Sequence, residues 1–443
     1  MKELDLSLTV LEKIVDDDLY FSDALKKVFQ NNSENKNYRK EVSGLIGCYL
    51  RHYLLLEYLT EEAALGKNER RLVELALANN YFYKHFSKED MNAALKEKIG
   101  ELTYNLIKVL TEKEAGKDNF IPENISRSSN KYLSLRYNAP EWLLKIFIHY
   151  GFGATLNTLK KISKPMPIVC RVRTSAISME EVLQIEGFYP HKLPDLVIYT
   201  GKTPIRKLDV YTSGKIFKIR PATKFIFDKY RVEEPQEILL YNANSDSSLE
   251  RELIESYGSS IGLNIGVANG HNRMENYALL KEKKLKNVNY FECNDPDSME
   301  ADISRPQDLI FCCPNSTNFD LIPFSPDYIL HFKKEDMSEI FEKELLALEG
   351  CSKHLREGGR MVYMVYTISK KEGHGIVSNF IKMHDDFELL EESQIFPSQE
   401  LETAVYVAVL NKKISQDALI PPGISEINYV SNKISSASIS MKK

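Results

Sequence analysis

Apolar residues in the first third of the chain recur three and four positions apart, the spacing that places them on one face of a helix. The pattern runs through Leu4–Val15, Phe21–Phe29, Val42–Leu59, Glu69–His85 and Met91–Leu110. Breaks fall at 31–37, 65–68 and 87–90, and no proline precedes Pro122. Residues 1–120 therefore predict an all-α bundle of roughly five or six helices. Such a bundle serves as a packing or dimerisation module, or as a surface that docks RNA. The polar stretch 114–130 reads as a linker.

Beyond it the period changes. Pro165–Arg173 predicts a strand, and 196–219 alternates short strands. Between them Ser178 predicts a helix N-cap, with acidic residues at 180 and 181. From Ala222 helices and strands take turns. The helix Ala222–Tyr230 precedes a strand at Glu237–Tyr241. A second strand at Ile261–Val267, a helix at Arg273–Lys284 and a third strand at Val288–Glu292 follow. The apolar run Leu309–Phe311 ends in Pro-Asn-Ser-Thr, and Gly358 and Gly359 stop a helix spaced over Met337–Leu355. Arg360–Ile368, rich in Val and Tyr, is the next strand. A helix at 376–384 and strands near Phe387–Leu390 and Ala404–Leu410 complete the series. In a sheet of this kind chemistry sits in loops at the carboxyl ends of strands, here 314–317 and 367–371. The tail from Ile414 is rich in Ser, Asn and Lys and predicts fraying.

Composition narrows this picture. The 443 residues have room for two or three domains, and 43% hydrophobic content supports real cores. No apolar run is long enough to span a bilayer, and the N-terminus lacks a signal pattern. Six scattered cysteines, mostly within apolar runs, fit buried thiols in a reducing cytoplasm. Lys and Arg total 58 against 63 Asp and Glu, a net charge of −5. That balance argues against strong nonspecific affinity for RNA, though it leaves room for a local basic patch. No His/Cys cluster has metal spacing.

The stretch from Pro326 through Gly359 to Phe380 resembles the Nop/Sun RNA cytosine-C5 methyltransferases, most closely the RsmB (Sun, Fmu) type that modifies small-subunit ribosomal RNA. That family reads Asp-Ala-Pro-Cys-Ser, His-Pro-Asp, a long helix, Leu-Lys-x-Gly-Gly and a strand ending Tyr-Ala-Thr-Cys-Ser. Tyr137, Pro140, Glu141 and Trp142 match its Tyr-Ser-His-Pro-Glu-Trp-Leu element. The resemblance covers roughly 1–413. It implies a NusB-like bundle at 1–120, a small RNA-holding α/β subdomain at 131–220, a Rossmann-like S-adenosylmethionine (SAM) methyltransferase domain at 221–413, and a tail at 414–443. RNA, ribosomal in the RsmB type, would be the partner and SAM the cofactor.

The site positions depart from the family. Its Asp-x-Cys-Ala-Ala-Pro-Gly-Gly-Lys loop becomes Asn242, Ala243, Asn244, Ser245, Asp246, Ser247 and Ser248, with no glycine. The plain reading of that stretch is a strand-to-helix loop with a Ser/Asp cap. The acidic ribose ligand falls at Asn269, and the adenine-holding Asp at Asn294 or Asp295. In the fourth loop the family Asp is Cys312, and the Pro-linked Cys is Asn315. The second cysteine is Tyr366. Methylating C5 of cytosine needs a thiolate to add at C6, and neither an amide nor a phenol replaces it. Cys313 precedes Pro314 and reads as a core residue. Arg173 and Arg220 stand where the family has Asn and Gln. Together with Arg171 they form candidate phosphate ligands, or else salt bridges in an acidic chain. The resulting expectation is a pseudoenzyme that retains RNA binding. The alternatives are an active SAM-dependent methyltransferase and a protein-interaction scaffold.

Overall fold

The computed structural model describes residues 1–30, 34–112, 120–243, 247–257, 261–268, 279–285, 287–293, 299, 303–398 and 400–415. The first part is a helical bundle of α1 (Lys2–Val15), α2 (Phe21–Gln30), α3 (Arg39–Arg51), α4 (Tyr53–Thr60), α5 (Lys67–Ala78), α6 (Lys88–Ile99) and α7 (Glu101–Glu112). Leu11, Leu45, Leu50, Leu77 and Leu95 meet in its core. Three periodic stretches, the third being Met91–Leu110, are each divided or shortened. The expected Val42–Leu59 helix breaks at His52, and Glu69–His85 ends its α-helix at Ala78 before a π turn, Asn79–Tyr83. Gly100 adopts φ +81° between α6 and α7, a conformation open to glycine.

Helices α8 (Asn130–Tyr137), α9 (Glu141–Phe147) and α10 (Phe152–Ile162) come next. Their Leu143, Phe147 and Leu159 pack with Phe319, Tyr328, Ile368 and Ala404 from the last third of the chain. The Trp142 ring stacks 5.8 Å from Phe332. Packing thus divides the expected 131–220 unit, because the apolar faces of these helices belong to the large domain. The small sheet has its own core around Cys170, Val172, Val182 and Val197. It consists of β1 (Ile168–Val172), β2 (Phe188–Pro190), β3 (Leu196–Tyr199) and β4 (Ile216–Lys218), antiparallel throughout in the order β2-β3-β1-β4. Ser178 forms the expected cap, as its Oγ accepts from the Glu181 N–H at 3.2 Å.

The large sheet contains β5 (Glu237–Tyr241), β6 (Gly262–Val267), β7 (Val288–Glu292), β8 (Gln307–Cys312), β9 (Leu355–Val365), β10 (Phe387–Ile395) and β11 (Val405–Lys412). Their order is β10-β11-β9-β8-β5-β6-β7, with β5 to β9 parallel and β11 antiparallel to both neighbours. β9 begins five residues before the expected Arg360, with Gly358 at φ +70° inside it. Alternate residues fill two cores. Ile238, Leu240, Phe311 and Val362 face α13 (Pro221–Tyr230), while Leu239, Ile310, Met361 and Tyr363 face the helix Met337–Lys353. Both faces are covered, as parallel strands require. The chain runs outward to β6 from one side of β5 and returns as β8 on the other. The β5/β8 boundary is therefore the switch point, and a crevice opens beyond its strand ends.

The bundle is seated on the loop that follows β8. Buried Asp327 accepts a 2.6 Å hydrogen bond from the Phe21 N–H, the first residue of α2. His331 contacts Asp18 at 2.8 Å, and Arg51 donates to the Pro323 carbonyl at 3.3 Å. Asn138 spans the α3–α4 break, donating to Leu50 O at 2.8 Å and accepting from Leu54 N at 2.9 Å. No helix among the described residues is long and apolar enough to cross a membrane. Asp327→Ala removes a helix cap supplied from another part of the chain, so it should cost about 1–2 kcal/mol of stability. Chemical denaturation measures this, and an unmoved midpoint would contradict the seating.

Candidate functional site at the carboxyl edge of the large sheet

Two loops meet at this edge, one after β8 and one after β9. They are held together by Glu372, a fully buried carboxyl. It accepts from the Thr317 N–H at 2.5 Å and the Thr317 hydroxyl at 2.6 Å, and also from the Thr367 hydroxyl. Its own carbonyl accepts from the Tyr363 hydroxyl at 3.0 Å. Glu344, equally buried, faces it from the helix Met337–Lys353 and hydrogen-bonds the Glu372 carboxyl. No other group donates to the Glu344 oxygens. Two carboxylates cannot share a hydrogen bond unless one keeps a proton. Burial pushes Glu344 well above the ordinary carboxylate range, and the neighbouring Glu372 charge adds to the effect. Burial raises Glu372 as well, but its hydrogen bonds from Thr317 and Thr367 act in the opposite sense, which favours the proton on Glu344.

Loop positions on either side are locked in turn. The Asn242 side-chain N–H donates to Cys313 O at 3.1 Å and to Asn315 Oδ1 at 3.0 Å, which bridges the β5/β8 crevice. Its own Oδ1 is buried and has no partner among the described residues. Asn242 has φ +61°, which Asn tolerates better than most residues. Tyr366 is fully buried, and its hydroxyl hydrogen-bonds Thr223 at 2.6 Å. The Arg220 guanidinium lies 3.9 Å above the Tyr366 ring centroid, and its Nη2 is 3.5 Å from buried Asp320. Beside Arg220 a cleft of about 410 Å³ opens between the small sheet and the large one. Among the described residues no group of three or more His, Cys, Asp or Glu could hold a metal ion.

No family model matches the chain. It is 20% identical over 410 residues to the probable ribosomal RNA small subunit methyltransferase B of Bacillus subtilis (strain 168), a match covering 87% of this chain and 89% of that protein. The crystal structure of PH0851 overlays with a TM-score of 0.69 at 14% identity, covering 93% of this chain and 99% of that one. NSun6 from Pyrococcus horikoshii with SFG overlays at 0.51 and 14% identity, over 62% of this chain and 99% of that one. The seven-stranded mixed sheet is the Rossmann-like methyltransferase fold. The chain resembles the RsmB/Sun type.

The structure brings only some of the expected site residues to the edge. Asn315 and Asn242 meet there, while Tyr366 lies in the core against Thr223, with Arg220 over its ring. Cys312, expected among cofactor positions, is instead fully buried in the core shared with Cys351. Alternation along β8 turns it into the sheet interior. Cys313 lies in the opposite core. Asn244, Ser245, Asp246, Asn269, Asn294 and Asp295 fall outside the described residues. Arg171 and Arg173 do not line an open groove. Arg171 pairs with Glu252 at 2.9 Å and Asp195 at 3.2 Å, and Arg173 pairs with Glu255 at 3.0 Å and Glu282 at 2.6 Å. Both guanidinia are nearly buried, and they fasten β1 to α14 (Ser247–Ser256). Desolvated arginines facing carboxylates are structural ties. Sequence reasoning passed over Glu344 and Glu372. The signal for Glu344 is its place midway between Ile340 and Leu348 on an apolar helical stripe.

The pair carries a pH signature. A group whose folded pKa is raised contributes stability fully below its unfolded pKa and loses that contribution as pH rises through the folded value. Glu344→Gln keeps an N–H donor toward Glu372 and cannot ionise. Thermal unfolding of this variant should therefore depend less on pH than the wild type above the ordinary carboxylate range. The melting temperature at alkaline pH should equal or exceed the wild-type value. A variant with an unchanged pH profile would show that Glu344 does not hold the proton.

Proposed function

We propose that this chain is an RNA-binding RsmB-type protein, directed at ribosomal RNA, that does not transfer a methyl group. The observation carrying the reading is the pair of family cysteine positions. Asn315 is an amide tied to Asn242, and Tyr366 is a buried phenol capped by Arg220. The reaction needs a thiolate to add to C6 of cytosine before C5 can accept a methyl group. Both Cys312 and Cys313 are buried, and burial holds the Cys312 thiol well above its ordinary pKa, against thiolate formation.

SAM is the cofactor of the family, and it would supply the methyl group. The described residues of the β5/β8 crevice do not fit its methionine end. There the Asn242 amide crosses the opening that small residues leave clear in the family, and Val267-Ala268 end β6 without a carboxylate. The RNA half of the reading rests on Arg220 and Lys218, which border the cleft. The NusB-like role of α1–α7 and residence in the cytoplasm belong to the same reading.

Incubation with ribosomal RNA and labelled SAM should give no C5-methylcytosine. The double variant Asn315→Cys/Tyr366→Cys should stay inactive, because the cofactor crevice is also altered. Calorimetry with SAM should show no binding at micromolar concentrations. Turnover that Cys313→Ser abolishes would overturn the reading, as would micromolar SAM affinity. For RNA, Arg220→Gln should weaken binding about threefold or more and flatten its salt dependence. Equal binding by both proteins would remove Arg220 from the interface.

A further inference from the structure

The cleft beside Arg220 contains a carboxyl that the loop clamp and the family positions do not use. Glu402 lines it, is only 8% exposed, and no described residue donates a hydrogen bond to it. Next to it the Thr403 hydroxyl is buried and equally without a partner. Buried polar groups in folded proteins are almost always paired. A carboxyl left open in a cavity marks the place of a ligand's polar edge. The surrounding walls are apolar, with Ile168 and Ile219 on the small sheet facing Leu321 and Phe324 on the loop after β8. The volume of about 410 Å³ lies in the range of small-molecule sites. A flat, apolar-faced ligand with N–H donors on one edge suits this arrangement.

We propose that the cleft is a nucleobase pocket selecting guanine, whose N1–H and N2–H edge is read by the Glu402 carboxylate. A carboxylate offers two acceptors and no donor. Guanine alone among the four standard bases presents two adjacent N–H donors on its pairing edge. Adenine and cytosine place a donor beside an acceptor, and uracil has a single donor between two acceptors. Lys218 and Arg220 border the same cleft and draw a phosphate toward it. The charged groups around Glu402 are Lys161 on α10, Lys218 and Arg220. Burial raises Glu402 to about 7, with Lys161 acting in the opposite sense. Guanine affinity therefore strengthens as pH rises through neutrality.

The selectivity rests on the RNA-binding reading only for its source of guanine, either a strand or a free nucleotide. The experiment titrates the full chain with GMP, AMP, CMP and UMP at pH 8, and with single-stranded RNAs that differ only in one central base. GMP, or the strand with central G, should bind about tenfold tighter than the others. Response to GMP alone identifies a free-nucleotide site, and response to the strand alone identifies base reading within RNA. Glu402→Gln exchanges one acceptor for a donor and should move the preference from guanine to adenine or cytosine, while thermal unfolding shows the variant folded. Equal affinity for all four bases would overturn the proposal, and so would a Glu402→Gln protein that keeps the wild-type preference. Base-blind RNA binding removes this inference and leaves the proposed function standing. GMP binding without RNA binding does the reverse.

Discussion

Everything at the carboxyl edge depends on one buried carboxylate with four donors around it. Glu372 takes hydrogen bonds from the backbone and hydroxyl of Thr317, from Thr367 and from protonated Glu344. Two loops from different strands are thereby fixed to each other and to the helix behind them. Asn315 lies two residues from one anchor, and Tyr366 lies beside the other. A buried charge with fewer partners would favour protonation and release the loops. The threonines and Glu344 therefore act together in setting how close the β8 and β9 loops approach.

The architecture was largely legible in the chain. Strands with Leu and Ile runs, such as Glu237–Tyr241, and a long stripe such as Met337–Leu355 leave little freedom in assignment. Errors fell where local geometry overrode periodicity. His52 and Gly100 cut helices that the apolar spacing carried straight through. Helices α8–α10 were assigned by proximity in sequence, while their partners Phe319 and Ile368 lie far along the chain. Only tertiary contact reveals such a division.

Alignment named Asn315, Tyr366 and Arg220, and the structure places Asn315 beside Asn242 and Arg220 over Tyr366. Arg171 and Arg173 look like phosphate ligands when read alone. Their acids, Glu252 and Glu255, sit about eighty residues on, at helical positions that carry no sign of the pairing. Glu402 precedes an apolar strand and reads as an ordinary loop acid. Its enclosure comes from residues 166–169, 218–221 and 321–324, three segments far from it in sequence.

The segment between Thr317 and Phe332 touches both halves of the molecule. At one end it supplies Leu321 and Phe324 to the cleft, and Asp320 to Arg220 beside it. At the other, Pro323, Asp327 and His331 hold the bundle through α2, α3 and Asp18. Between these ends the Tyr328 ring stacks 5.3 Å from Phe332. The seat of the bundle and one wall of the cleft are therefore a single continuous segment, with no linker between them.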